Sequence, residues 1–128
     1  MDQIALVNQQ IDEGRKLLDA LRTDGFEVSA ACWMQAAEDE QWYLYFASPH
    51  VDKQGIGDAY RMVHTLIRGL PTPIGVDPFE VRLVTATDPL VVAINEVYRR
   101  NPAPVVKRIA APNFGGRSIE GAFVYPPM

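Results

Sequence analysis

A chain of 128 residues with 48% hydrophobic and 22% charged residues has the size and composition of one folded domain, which excludes extended disorder. A single cysteine, Cys32, excludes an internal disulfide framework, and no apolar run approaches the roughly 20 residues that span a bilayer. The net charge of −4 and a start at Met1-Asp2-Gln3-Ile4 without a signal pattern predict a soluble, cytoplasmic domain over residues 1–128.

The first part of the chain predicts a helix followed by a β-hairpin. Apolar residues recur every three or four positions between Asp2 and Arg22, namely at Ile4, Val7, Ile11, Leu18 and Leu21. Gly25 suits the end of that helix. Alternating residues after Phe26 predict a first strand, and the aromatic segment from Gln41 to Ser48 predicts a second. The short polar link Glu38-Asp39-Glu40 favours an antiparallel hairpin.

The rest of the chain predicts two helices and three strands. Helical periodicity runs from Ile56 to Leu70, and Pro71 ends it. Thr87-Asp88-Pro89 is typical of a helix start, and that helix should end before Asn101. The predicted strands are Phe79–Val84, Val105–Ala110 and Arg117–Tyr125, with Gly115-Gly116 in a turn between the last two.

The predicted fold class is therefore α+β, in the order α-β-β-α-β-α-β-β. Two hairpins indicate a single, mainly antiparallel sheet of about five strands. Its three helices are expected to pack on one side, which is the simplest way to cover a sheet. This order carries no indication of a particular function.

Four polar residues near the end of the second strand are candidates for a ligand pocket. Ser48, His50, Asp52 and His64 could act as hydroxyl donor, base and orienting acid if the fold brings them together. His50 and Asp52 alone are too few ligands for a zinc site, so the sequence predicts neither a metal nor a cofactor. It also contains no catalytic signature, which favours a non-enzymatic protein without excluding an enzyme.

Other residue types with chemical potential have simpler interpretations. Cys32 lies among apolar neighbours and is expected to be a buried core residue. The loop Lys53-Gln54-Gly55-Ile56-Gly57 lacks the spacing of a phosphate-binding motif, so its glycines are expected to shape a turn. The adjacent acids Glu38, Asp39 and Glu40 are expected to be solvated at a hairpin tip.

The aromatic residues of the first hairpin are the candidates for an interaction surface. Trp33, Tyr43 and Tyr45 would lie together on an uncovered sheet face if Cys32 and Trp42 point toward the helices. This hypothesis favours a small accessory subunit or homodimer that contacts a protein partner, with no role at a membrane. The alternative is that helices or a loop cover these rings.

The last third of the chain is basic, which suggests a third hypothesis. It carries Arg99, Arg100, Lys107, Arg108 and Arg117 against Glu96 and Glu120. Together with the exposed aromatics, these residues could bind single-stranded nucleic acid. The overall negative charge and the lack of an RNA-binding signature argue against that function, and a solvated basic face is the simpler interpretation.

Overall fold

The computed structural model describes residues 8–38 and 40–127, and within them the α+β class is confirmed. The helices are α1 (Asn8–Thr23), α2 (Pro49–Gln54), α3 (Ile56–Gly69) and α4 (Pro89–Arg100). The strands are β1 (Ala30–Ala36), β2 (Trp42–Ser48), β3 (Val81–Thr85), β4 (Lys107–Ile109), β5 (Asn113–Phe114) and β6 (Arg117–Val124). The predictions for Met1 to Val7, which include Ile4 and Val7, and for Asp39 lie outside the described residues.

The six described strands belong to one mixed, mostly antiparallel sheet. Its order is β3-β2-β1-β6-β4, and the short strand β5 pairs with β6. The predicted β1–β2 hairpin is confirmed, with Cys32 opposite Tyr45. β2 and β3 are parallel, and the chain between them forms α2 and α3 because parallel neighbours need a long crossover connection.

Helices cover both faces of the sheet, so the expected one-sided packing is wrong. On one face α1, α2 and α3 enclose large side chains such as Trp33, Leu44 and Phe46. On the other face α4 packs Leu90 and Ile94 onto small strand residues. The sequence did not predict this arrangement, because alternation in β1 is typical of a strand with one buried face. In the structure both faces of β1 are buried.

A buried hydrogen-bond chain fixes α1 against the sheet. Trp33 Nε1 donates to the Tyr125 hydroxyl at 3.1 Å, and that hydroxyl donates to the Ile11 carbonyl at 2.5 Å. Gly14 permits this approach, since a Cβ at that position would lie 2.7 Å from Trp33 Nε1. Gly14 lies three residues after Ile11 and four before Leu18, in the apolar stripe of α1, and there it faces two aromatic side chains.

Several element boundaries differ from the predictions for local reasons. Ser48 caps a short helix, α2, that begins at Pro49, where the sequence had predicted only a loop. A 3-10 turn over Pro78–Glu80 delays the third strand to Val81. The Ser48-Pro49 and Asp77-Pro78 pairs both place a capping side chain before a proline, the same pattern that correctly predicted α4.

The outer edge of β3 is bonded to side chains. The Leu83 amide donates to the Tyr60 hydroxyl at 3.0 Å, and the Ala86 amide donates to Asp52 Oδ1 at 2.9 Å. Tyr60 belongs to α3 and Asp52 to α2, so the crossover helices satisfy backbone groups that an edge strand would otherwise expose. Within the described ranges, no helix is long and apolar enough to cross a membrane.

Candidate interaction surface

Tyr43 and Tyr45 lie on the α4 side of the sheet, but Trp33 does not. Directly paired strand residues share a face, and Tyr45 is opposite Cys32 and Tyr43 opposite Met34. Trp33 is opposite Leu44 and is 1% exposed in the three-helix core. The predicted grouping of Trp33 with the two tyrosines is therefore wrong, because the hairpin register places Cys32 and Trp42 on opposite faces.

Both tyrosines are half-buried and each carries an arginine over its ring. The Arg82 guanidinium carbon lies 4.0 Å from the centre of the Tyr43 ring, and that of Arg117 lies 5.5 Å from the centre of the Tyr45 ring. Arg82 is opposite Tyr45 in the β2–β3 register and shares its face. Tyr43, Tyr45 and Arg82 therefore form one surface, which we call the tyrosine–arginine face.

The two arginines of this region differ in their remaining contacts. Arg117 donates to both carboxylate oxygens of Asp88, at 2.9 and 3.0 Å, and to the Gly115 carbonyl. No carboxylate pairs with Arg82 anywhere in residues 8–38 and 40–127, and its side chain is exposed. Arg117 is thus held in place, whereas the Arg82 guanidinium retains donors for a partner.

Protonation equilibria reflect the same arrangement. Hydrogen bonds from Arg117 lower the pKa of Asp88, whose Oδ1 also accepts from the Leu90 amide at the start of α4. Burial raises the pKa of Tyr45, although Arg117 and Arg82 oppose that shift. Tyr45 therefore keeps its proton at neutral pH and can act as a hydrogen-bond donor.

Phe79 is an exposed aromatic residue that the sequence had assigned to the start of the third strand. It lies on the 3-10 turn before β3 and is 83% exposed. Its amide donates to Asp77 Oδ1 at 2.9 Å, and Glu80 Oε1 accepts from the Asp77 amide at 3.3 Å. This capping box, preceded in sequence by Gly75, fixes the turn, and the pattern Asp-Pro-Phe-Glu is the signal that could have revealed it.

The four predicted pocket residues make different local contacts. Ser48 accepts from the His50 amide as the cap of α2, and Asp52 binds the end of β3. The His50 ring stacks on Phe26 at 4.8 Å, whereas His64 contacts the ring of Tyr60 at 5.8 Å. The two histidines thus lie against different aromatic partners.

The predicted basic residues do not form one surface. Arg99 and Arg100 both bind Glu96, whose pKa these hydrogen bonds lower to about 2. The Lys107 ammonium lies 4.5 Å from the centre of the Tyr98 ring and donates to the Ala103 carbonyl. Lys107 and Arg108 are consecutive in β4 and point to opposite faces, while Arg117 lies at the far end of β6.

The remaining chemical candidates offer little to a substrate. Burial raises the pKa of the Cys32 thiol, which is fully enclosed under α4, as expected for a core residue. Glu38 and Glu40 are exposed, as expected, while Asp39 is outside the described residues. No group of three histidine, cysteine or acidic residues within 8–38 and 40–127 could hold a metal ion.

A surface depression lies along α3, and its lining residue Gln54 is 3.3 Å from the ring of His50, one of the predicted pocket residues. This open groove of about 730 Å³ contacts the end of α1 and is lined by Asp24, Gln54, Asp58, Arg61, Met62, Thr65, Leu66 and Gly69. Arg61 pairs with Asp58 at its rim. The groove is open and its only arginine is paired with a carboxylate, so it lacks the enclosure and the convergent polar groups of a typical ligand site.

No protein-family model, no curated protein and no solved structure matches this chain, so its function must be argued from its own geometry.

Proposed function

We propose that this chain is a non-enzymatic protein-interaction module that binds its partner through the tyrosine–arginine face. The observation that carries the proposal is the pair of half-buried tyrosines on a sheet face that α4 covers only in part. Tyrosine and arginine are enriched at protein interfaces because each combines a large apolar contact area with hydrogen-bond donors.

The rigidity of this surface supports the same function. Tyr43 and Tyr45 project from a central strand, between β1 and β3, and the stacked Arg82 restricts the Tyr43 ring. A side chain that is already ordered loses less conformational entropy when a partner binds. The surface is therefore already ordered before the partner binds.

The other two hypotheses draw less support. A catalytic pocket would need polar groups that are free to act, whereas Ser48 and Asp52 are engaged by backbone amides. Binding of single-stranded nucleic acid would need a continuous basic surface, whereas Arg99 and Arg100 are paired with one glutamate. We accordingly rank both below protein binding.

Site-specific photo-crosslinking in the producing cell tests the proposal. A benzophenone amino acid at Tyr43 should give a discrete covalent adduct with a protein partner. The same group at Arg68, an exposed position on α3, should give none and serves as the matched control. Equal adducts at both positions, or no adduct at Tyr43, would contradict the proposal.

A further inference from the structure

The end of the sheet where Arg82 lies indicates the chemistry of the partner. Arg82 and Tyr43 lie close to the β1–β2 turn, which carries the exposed carboxylates Glu38 and Glu40. The Gln35 side chain donates to the Glu40 carbonyl at 3.1 Å, which holds this turn in place. One end of the molecule therefore presents a cation without a carboxylate partner and two exposed anions.

Phe79 adds an apolar contact to the same end. The side chain of Gln41, which follows the acidic turn, donates to Glu80 Oε2 at 3.2 Å and so links the turn to the 3-10 segment. Phe79 precedes Glu80 and projects into solvent from this linked pair. We call the set Glu38, Glu40, Phe79 and Arg82 the corner surface. An exposed phenyl ring on a hydrogen-bonded turn beside charged residues is typical of an interface centre with a polar rim.

We propose that the corner surface binds a second copy of this chain across a two-fold axis. In such a dimer Arg82 of each protomer would contact Glu38 and Glu40 of the other, and the two Phe79 rings would lie near the axis. A two-fold interface pairs a surface with itself, so ion pairs across it require both charge signs on one surface. The inference rests on the proposed function, because Arg82 belongs to both the tyrosine–arginine face and the corner surface, and it takes a second copy of the chain as the partner.

Charge complementarity favours a second copy over an acidic partner segment. Glu38 and Glu40 on the same surface would repel additional carboxylates approaching Arg82, whereas a two-fold arrangement pairs each with the opposite charge. Addition of a strand is also disfavoured at this end, because Tyr60 occupies the outward Leu83 amide of β3. The contact is therefore made by side chains.

The test compares charge reversals by sedimentation velocity across a hundredfold range of protein concentration at low salt. The wild-type chain should dimerise, while Arg82→Glu alone and the double variant Glu38→Lys/Glu40→Lys alone should each weaken dimerisation at least about tenfold. Mixing the two variants restores opposite charges at both contacts of the mixed dimer, so dimers should return in the mixture. Phe79→Ser should weaken dimerisation without restoring it in any mixture.

Two controls exclude a general effect of charge and a loss of the folded structure. Arg68→Glu makes the same charge change on α3 and should leave dimerisation unchanged. Every variant should give the wild-type circular dichroism spectrum, which shows that loss of the dimer is not loss of the fold. A wild-type chain that stays monomeric at all concentrations, or a variant mixture that stays monomeric, would overturn the inference.

The outcomes also separate this inference from the proposed function. A monomeric chain that still forms a Tyr43 photo-adduct with a different protein would leave the proposed function intact and make the two-fold partner wrong. A monomeric chain without any adduct would make both wrong.

Discussion

The two faces of the sheet are built from different residues and are filled to different degrees. The three-helix face contains fully buried large side chains, among them Trp33, Leu44 and Phe46. The α4 face contains small buried residues in its strands, such as Ala30, Cys32 and Ala122, and half-buried tyrosines beside them. A single helix suffices to cover the small residues, but it leaves the β2 tyrosines partly open.

This difference indicates that the two faces contribute unequally to folding stability. Burial of large apolar side chains is the main source of folding stability, so the three-helix face should dominate the free energy of unfolding. The α4 face buries less and leaves aromatic surface exposed, to which the proposed function assigns the contact with a partner. Neighbouring residues of one strand can therefore have opposite roles, which the following variants test.

The largest expected effect comes from truncation of Phe46, which is 0% exposed on the three-helix face. Phe46→Ala should lower the free energy of unfolding by about 3–5 kcal/mol, because it removes buried apolar surface and leaves a cavity. The adjacent variant Tyr45→Ala should cost only about 1 kcal/mol, since its ring is already partly solvated. Urea denaturation measures both, and equal losses would contradict the division between the faces.

A second prediction concerns the contact of α1 with the three-helix face. Gly14→Ala should destabilise the protein by about 1–3 kcal/mol, because the new methyl group would overlap Trp33 and Tyr125. Gly57→Ala in α3 is the matched control, since a Cβ there meets no atom within 4 Å. Thermal unfolding should show a lower Tm only for Gly14→Ala, and a loss of the same size at Gly57 would refute the close approach of α1.

A third prediction concerns the ion pair that holds α4 on its face. Asp88→Asn keeps a capping side chain but loses the charge, so it should cost about 1 kcal/mol at pH 7 after solvent screening. The Asp88 pKa is lower in the folded chain than in the unfolded chain. The ion pair therefore stabilises the fold above about pH 4, and that contribution is lost as the pH falls below it.

Denaturant titrations between pH 2 and pH 7 check this dependence. The difference in stability between wild type and Asp88→Asn should be largest near neutral pH and should shrink toward pH 2. Taking the difference removes the contributions of Glu13 and Glu96, whose pKa values are also lowered. A difference that does not change with pH would contradict the electrostatic role of Asp88.

The smallest effect is expected at the outer surface of α4. Glu96→Gln removes ion pairs with Arg99 and Arg100, whose side chains are 70% and 76% exposed. Exposed pairs contribute little because water screens them, so the unfolding curve should match that of the wild-type chain despite the low pKa of Glu96. A clear loss of stability would indicate that α4 depends on its solvent side.

The sequence predicted most elements that local chemistry determines, although it missed α2 and the 3-10 turn before β3. The periodicity of α3 and the Asp88-Pro89 start of α4 identified both helices, and the acidic link identified the first hairpin. The order of the strands and the sheet face that each helix covers depend on contacts between residues distant in sequence, such as Trp33 with Tyr125. The spacing of apolar residues along the chain contains no information on such contacts. The prediction that all helices pack on one side of the sheet was therefore wrong.

The candidate surface was predicted only in part. Tyr43 and Tyr45 were identified from alternation within β2, but Trp33 was assigned to their face because the pairing register of the hairpin was unknown. Arg82 and Phe79 were missed. Arg82 comes from a strand whose position beside β2 follows from the crossover, and the turn at Phe79 lay within an apparent strand.

The contact between Tyr60 and the edge of β3 has a consequence for how this protein can evolve. With the outward Leu83 amide occupied, the association that we propose at that end would depend on side chains rather than on backbone pairing. Backbone pairing accepts many sequences, whereas a contact of side chains can be gained, lost or redirected by single substitutions. The hydroxyl of one tyrosine therefore hinders backbone pairing at the β3 edge, whereas side-chain contacts at that edge stay open to mutation and selection.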